Sequence, residues 1–370
     1  MIASLRAGLR SSLVPWVCSR LLVGLGFLTA AIVAGDPRPL PLDQGLVSWD
    51  ASWYRSIADL GYDSAPEGAI RFFPLLPLLG RWLTPLAGGR SDIALVAVTW
   101  IAALAATAAL VALAKAELDD DHLAGRAAWV WSLFPTAFVL VAPYTEALLV
   151  IFASLYALAW RKQQWLAVIC FGLLAGLSRP VGGLLVIFAA VELWQNRQDT
   201  ENRFAGRQLA PAVAGLASPA AGIISFGLWA AATGPGFFAP FDAQSELRGQ
   251  LRDPFTRFGQ AIGRGVTGDE TELLHAIATV VFAALIVVVW RAGLTSWAVY
   301  GAVGLTIAVS STNINSLVRY GHGLIPVLLG AALVLKGQRG DRRFELAAVT
   351  SAALGVIVLT AAIFSRKYVP

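Results

Sequence analysis

The sequence predicts an all-α polytopic membrane protein. Three observations predict it. Hydrophobic residues make up 57% of the 370 residues and charged residues only 14%, against roughly 45–50% and about 25% in a soluble domain. A soluble chain of this length has too little charge here to cover its core, and a disordered chain would carry far less apolar surface. The apolar residues fall in repeated runs near the length of about 20 that a helix needs to cross a bilayer. The cations sit in short groups between those runs, which is how topology signals look, whereas a nucleic-acid binder would carry them as a stripe.

The elements follow in order. The run 12–34, preceded by Arg6 and Arg10, is too long for the apolar part of a signal peptide and predicts an uncleaved first span. Further spans are predicted over 92–114, 126–142, 144–160, 165–178, 181–195, 210–232, 273–291, 294–311, 317–335 and 344–363, about eleven in all. A twelfth apolar stretch, 71–88, is broken by Pro74, Pro77 and Pro85. Proline removes a backbone donor and clashes with the preceding turn, so this stretch predicts a helix lying in the outer interface. No segment is polar enough for a separate soluble domain. Residues 1–370 read as one transmembrane unit with two long outer segments, about 35–91 and 233–272.

The positive-inside rule sets the orientation. With a cytoplasmic N-terminus, one set of loops collects Lys115, Arg126, Arg161, Lys162, Arg197, Arg203, Arg207, Arg291, Lys336, Arg339, Arg342 and Arg343. The other face receives both long segments, the Pro143–Tyr144 and Arg179–Pro180 turns, and the turn 312–319. The weak step is 165–195, either two short helices meeting at Arg179–Pro180 or one long kinked helix. The charge bias favours the pair, since one helix would put the Lys336–Arg343 cluster outside. The preference for Ala and Arg over Lys fits a high-GC bacterium and hence a plasma membrane.

Several chemistries lack support. Cys18 and Cys170 lie in apolar segments with no disulfide or metal-ligand spacing. His122, His275 and His322 form no zinc motif, and there is no Walker, HExxH or Gly-x-Ser-x-Gly pattern. No cofactor or metal is expected.

The candidate chemistry sits in the outer segments. In Trp49-Asp50-Ala51-Ser52-Trp53-Tyr54, read as a helix, Trp49, Trp53, Ile57 and Leu60 share an apolar face suited to headgroups. Asp50 and Tyr54 share an adjacent face toward the protein; the plainer alternative is that Asp50 caps the helix. Arg71-Phe72-Phe73-Pro74 begins a broken amphipathic stretch that would shape a groove beside Asp50. Glu146, in Pro143-Tyr144-Thr145-Glu146, must face a wet cavity, pair with a cation or cap its helix, because an acidic group at mid-bilayer costs about 2.5–3.5 kcal/mol. Arg179 and Arg319-Tyr320 stand at outer ends of apolar runs. A lone arginine there snorkels to headgroups. Two on the face that holds Asp50 suggest phosphate recognition through paired hydrogen bonds.

In these motifs the chain resembles the PIG-V-like mannosyltransferases, the family of the second mannosyltransferase of glycosylphosphatidylinositol assembly, as a bacterial member. The resemblance rests on Trp49-Asp50, Trp53-Tyr54, Ile57-Ala58 and Gly61-Tyr62, then Phe72-Phe73-Pro74-Leu75-Leu76-Pro77-Leu78, with Pro143-Tyr144-Thr145-Glu146, Ser178-Arg179-Pro180 and Arg319-Tyr320 in matching order. It spans roughly residues 12–335 and departs from the pattern at Ser48, where relatives often carry His, and at Pro180, where many carry a polar residue. It implies a GT-C fold and an inverting transfer of a hexose, mannose in the family, from a polyprenyl-phosphate donor. The acceptor would be a glycolipid, glycan or protein of the cell envelope on the non-cytoplasmic face. Asp50 would be the general base, with Trp49, Trp53, Tyr54, Glu146, Arg179, Arg319 and Tyr320 binding substrate. The competing readings are a transporter or flippase for a lipid-linked glycan and a non-catalytic envelope scaffold. A transporter needs charge along a midplane path, whereas the polar groups here crowd one face.

Overall fold

The computed structural model describes residues 2–33, 40–198, 206–335 and 342–367. Arg203, Lys336 and Arg339 of the expected cytoplasmic series lie outside the described residues. Seventeen α-helices are present among those described. They are α1 (Ile2–Ile32), α2 (Leu42–Leu46), α3 (Asp50–Leu60), α4 (Leu75–Leu83), α5 (Ser91–Leu118), α6 (Asp121–Ser132), α7 (Glu146–Arg161), α8 (Trp165–Ser178), α9 (Leu185–Gln198), α10 (Leu209–Thr233), α11 (Ala239–Arg248), α12 (Pro254–Val266), α13 (Glu270–Arg291), α14 (Thr295–Val309), α15 (Leu317–Gly323), α16 (Ile325–Val334) and α17 (Arg342–Phe364).

Five helical stretches are long and apolar enough to cross a membrane: Leu5–Ile32, Ser91–Leu118, Gly206–Thr233, Glu270–Arg291 and Arg343–Phe364. A sixth arises if α15 and α16, bent by 81° at Leu324, count as one span. The expected eleven are therefore not what the helix lengths give. The run 126–142 is interrupted at Leu133–Thr136, around Pro135, before a 3-10 turn at Ala137–Leu140. Helices α7, α8, α9 and α14 have 14 to 16 residues, about 21–24 Å at 1.5 Å per residue, against a hydrocarbon core of about 30 Å. Apolar runs of this kind also make core helices, and α7 is one: most of its residues, Glu146 included, are buried between neighbours.

Segment 165–195 resolves into two helices. Arg179 is extended (φ −170°, ψ 147°), and a 3-10 turn at Pro180–Leu184 leads into α9. Glu192 of α9 reaches back to Arg161 at the end of α7, so α9 returns to the end from which α8 set out. Helices α8 and α10 pack backbone to backbone through small residues. A Cβ on Gly176 would stand 2.2 Å from the Pro219 carbonyl oxygen, and one on Gly222 would stand 2.4 Å from that of Leu173. Close approach through glycine is the usual device where apolar burial alone cannot drive helices together in lipid.

The bundle has two distinct polar ends, joined by α7. At one, Arg161 pairs with Glu117 of α5 and Glu192 of α9, and Ser296 of α14 donates to Glu192 at 2.5 Å. At the other lie Asp50, Glu146, Arg179 and Arg319. The 16 residues of α7 separate these ends by about 24 Å.

Elements α3 and α4, with the 3-10 turns Ala69–Arg71 and Thr84–Ala87, build the first long segment. Pro74 immediately precedes α4, Pro77 lies in its first turn and Pro85 opens the second 3-10 turn, positions that proline tolerates. Leu76 and Gly80 of α4 are buried, while Leu78, Trp82 and Leu86 are exposed, the two-faced pattern expected of 71–88. Helices α11 and α12 form the second long segment. It is fastened to the stretch before α15 by the Leu251–Ser311 bridge and by Asn313 N–H donating to Arg248 O at 2.9 Å.

Candidate active site

A cavity of about 350 Å³ opens at the second polar end. Asp50, Tyr54, Arg71, Arg179, Arg248, Arg319 and Tyr320 line it, with polar groups from Gln244, Ser311, Asn313 and Asn315. They come from several separate parts of the chain, and local structure explains how they are presented.

Asp50 is the first residue of α3. The residue before it, Trp49, has φ 57° and ψ −132°, a left-handed-side conformation that costs a non-glycine residue about 1–3 kcal/mol. Such outliers concentrate where a side chain must be aimed. Asp50 is therefore no cap. Its Oδ2 accepts from Arg319 Nη1 at 2.5 Å, and its side chain keeps 30% exposure toward the cavity. The face expected to meet headgroups is displaced around the helix. Ile57 is buried together with Ala51, Tyr54 and Ala58, and Leu60 alone of the expected four is exposed. The cause is that α3 packs against both α4 and α5, so a helix taken for a surface element has a core side. Tyr54, on that side, comes within 3.4 Å of Thr145 Oγ1, and burial pushes its phenol well above its ordinary range, so it stays protonated.

Glu146 opens α7 and has no exposed surface. It does not line the cavity; it lies behind the wall and serves two arginines. Oε1 pairs with Arg179 Nη1 and stands 3.2 Å from Arg319 Nε, while Oε2 is buried without a hydrogen-bond partner. Of the outcomes open to Glu146 from sequence, pairing with a cation is the one the fold realises. Arg179 is carried on the extended residue between α8 and the 3-10 turn, and Arg319 on the short helix α15. The chain Arg179–Glu146–Arg319–Asp50 is thus a continuous charge network assembled from four segments. Breaking a buried pair by removing one member costs about 3–5 kcal/mol, so this network holds its own geometry.

Besides Glu146, two residues expected to touch substrate do not line the cavity. Trp49 is turned away with its indole Nε1 buried. Trp53 stacks on Phe72 at 5.7 Å and 16°, with the Arg71 guanidinium 4.6 Å above its ring. Trp53 thereby supports cavity-lining groups from behind. Among the lining residues that were not site candidates are two arginines. Arg71 stands in the sequence as the start of an amphipathic stretch. Arg248, in the second long segment, donates to Tyr320 Oη and lies 4.8 Å over the Tyr320 ring. Their only sequence signal was location in the outer segments, shared with many solvated charges.

Four guanidinium groups and the Asp50 carboxylate border the cavity, and Glu146 lies directly behind two of them. The surplus is two positive charges. Among the described residues no group of three His, Cys, Asp or Glu side chains is placed to hold a metal ion.

Comparisons with known proteins place the fold. No family model matches the sequence, and none of the curated proteins matches it. Among solved structures, the chain is similar to the crystal structure of the Archaeoglobus fulgidus oligosaccharyltransferase in complex with Zn and sulfate, with a TM-score of 0.50 and 14% identity over 95% of this chain and 53% of that one. A second crystal structure of that enzyme, tethered by a disulfide to an acceptor peptide containing the NVT sequon, gives a TM-score of 0.49 and 13% identity over 97% and 55%. The chain spans about half the length of the protein it matches. The fold is that of an all-α membrane protein, similar to the archaeal enzyme in the arrangement of its helices.

Proposed function

We propose that this protein is a membrane glycosyltransferase of the GT-C type. It would transfer a hexose, mannose by the sequence resemblance, from a polyprenyl-phosphate donor to an envelope glycolipid, glycan or protein. The observation that carries the reading is a partly exposed carboxylate, Asp50, fixed at the edge of a cavity with a surplus of two positive charges. A sugar phosphodiester brings one negative charge and leaves as a monoester with nearly two. The cavity is thus matched to the leaving group more closely than to the donor, and stabilisation that grows toward the transition state is what accelerates a reaction. The fold likeness to an oligosaccharyltransferase supports the reaction class.

In this mechanism Asp50 takes the proton of the acceptor hydroxyl as its oxygen bonds to the anomeric carbon. The bond from that carbon to the phosphate oxygen breaks on the opposite side, the electron pair leaves with the phosphate, and the configuration inverts. Arg319 holds Asp50 through Nη1, and Glu146 fixes Arg319 from behind. Tyr54 and the amides of Gln244, Asn313 and Asn315 are placed to meet sugar or acceptor hydroxyls. Apolar walls from Phe72, Phe73, Val181 and Leu184 suit the first isoprene units. The chemistry of the donor set favours arginine over a divalent cation as counter-charge, because both nearby carboxylates already neutralise guanidinium groups. The cavity end would face away from the cytoplasm, with the Arg161 end inside, in the plasma membrane.

Asp50→Asn tests the reading directly. Assayed as purified protein with polyprenyl-phosphate mannose, it should lose about 10²–10⁴-fold in transfer rate. Its folding should stay intact, since Arg319 keeps Glu146. Full activity in this variant would remove Asp50 as the base.

A further inference from the structure

We infer that the donor phosphate is bound by Arg71 and Arg248, and that Arg179 and Arg319 position the carboxylates instead. The inference rests on the lipid-phosphate reading above and divides the four cavity arginines into two classes. Arg179 and Arg319 are each held by Glu146, and Arg319 also by Asp50. A phosphate bound there would compete for guanidinium groups whose charge is already balanced by carboxylates. Arg71 and Arg248 line the same cavity, and among the described residues neither pairs with a carboxylate. These two supply its surplus charge.

Their geometry suits an anion. The Arg71 guanidinium lies over the Trp53 and Phe72 rings at 4.6 and 4.8 Å, and that of Arg248 lies over the Tyr320 ring. Stacking on a ring fixes a guanidinium by its face and leaves N–H donors for phosphate oxygens; Arg248 gives one of its five to Tyr320 Oη and keeps the rest. The two also arrive together, because α11, which ends at Arg248, packs against the 3-10 turn that ends at Arg71. Arg248 is held at its own backbone by Asn313 N–H, and the partner segment is braced in turn by Arg257 Nε donating to Thr312 O at 3.0 Å. Both side chains are half-buried, so replacing them leaves no charge stranded in the core.

The test titrates the purified full-length protein in detergent with farnesyl monophosphate, inorganic phosphate and farnesol. Binding is read from tryptophan fluorescence, since Trp53 lies beneath Arg71. Farnesyl monophosphate should bind and farnesol should not. R71Q and R248Q should each weaken binding by about tenfold or more, the usual loss for a hydrogen bond to a charged group. R71K and R248K, which keep the charge but lose the planar edge, should recover part of that loss and report on the subsite if a glutamine variant unfolds. D50N should bind farnesyl monophosphate at least as tightly as the wild type while its transfer rate falls about 10²–10⁴-fold. Unchanged binding in all four arginine variants would overturn the subsite and leave the lipid-phosphate reading standing. Arginine-dependent binding of inorganic phosphate as tight as that of farnesyl monophosphate would uphold the subsite and remove the lipid donor. Binding of neither by the wild type would overturn both.

Discussion

Replacing Glu146 with alanine removes the one anion shared by Arg319, which is buried, and Arg179, which is half-buried. The magnitude follows from the geometry. At an effective dielectric of about 20, a contact of 3.2 Å to Arg319 Nε corresponds to about 5 kcal/mol of gross attraction, and the Arg179 contact adds a term of the same order. The burial of the charges offsets much of this in the wild type, but in the variant Arg179 stays half-buried with no carboxylate in contact. Arg319 still has Asp50, so Arg179 bears the greater loss. The net destabilisation expected is about 3–5 kcal/mol. It should appear as a lowered midpoint of denaturant unfolding in detergent micelles, followed by tryptophan fluorescence. Arg179→Met alone should also destabilise, because Glu146 then keeps only Arg319. The double variant should lose less than the sum of the two, by about 0.5–3 kcal/mol. An E146A protein within 1 kcal/mol of wild type, or a double variant that simply adds, would refute the view that this network is what holds Arg179 and Arg319 in place.

Arg319→Lys keeps the charge but cannot span Asp50 and Glu146 at once, so transfer should fall on the order of 10²-fold, the effect of a 1 Å misplacement, with donor KM nearly unchanged in steady-state assays. Gly222→Ala puts a methyl group against the Leu173 carbonyl and should cost about 1–3 kcal/mol of unfolding free energy without altering the KM of the remaining folded enzyme. With Cys18 and Cys170 replaced by serine, Ser64→Cys should react with a membrane-impermeant maleimide applied to intact cells and Lys162→Cys should not; the reverse labelling would invert the orientation. Deleting the gene should remove one hexose from an envelope glycolipid or glycoprotein, read by mass spectrometry.

Composition alone carried the helical membrane class, because too little charge for a soluble surface leaves lipid as the solvent. Scarcity also made part of the site legible. Asp50, Glu146, Arg179 and Arg319 were conspicuous because an ion beside an apolar run needs a reason, and the fold joins all four. Arg71 and Arg248 were not conspicuous, since an arginine within a polar segment looks solvated whatever it touches. Helix length supports fewer spans than the apolar runs for a related reason. An apolar run shows that a segment avoids water but not whether lipid or protein replaces it, and α7 is surrounded by protein. The face of α3 was misjudged because an aromatic stripe at helical spacing fits headgroups and core equally well. Ile57 turned inward once α4 and α5 were both beside it.

The Asp50–Arg319 pair joins positions 269 residues apart, and that separation orders events in time. During synthesis Asp50 and Glu146 enter the membrane region first. Arg179 follows and gives Glu146 its first partner. Asp50 has none from this network until α15 has been made and the 81° bend at Leu324 has set it across the bundle. Until then Asp50 has no fixed counter-charge from this network. The Asp50–Arg319 edge of the cavity is therefore completed only after most of the described helices have been made, so the cavity closes its charge network late in synthesis.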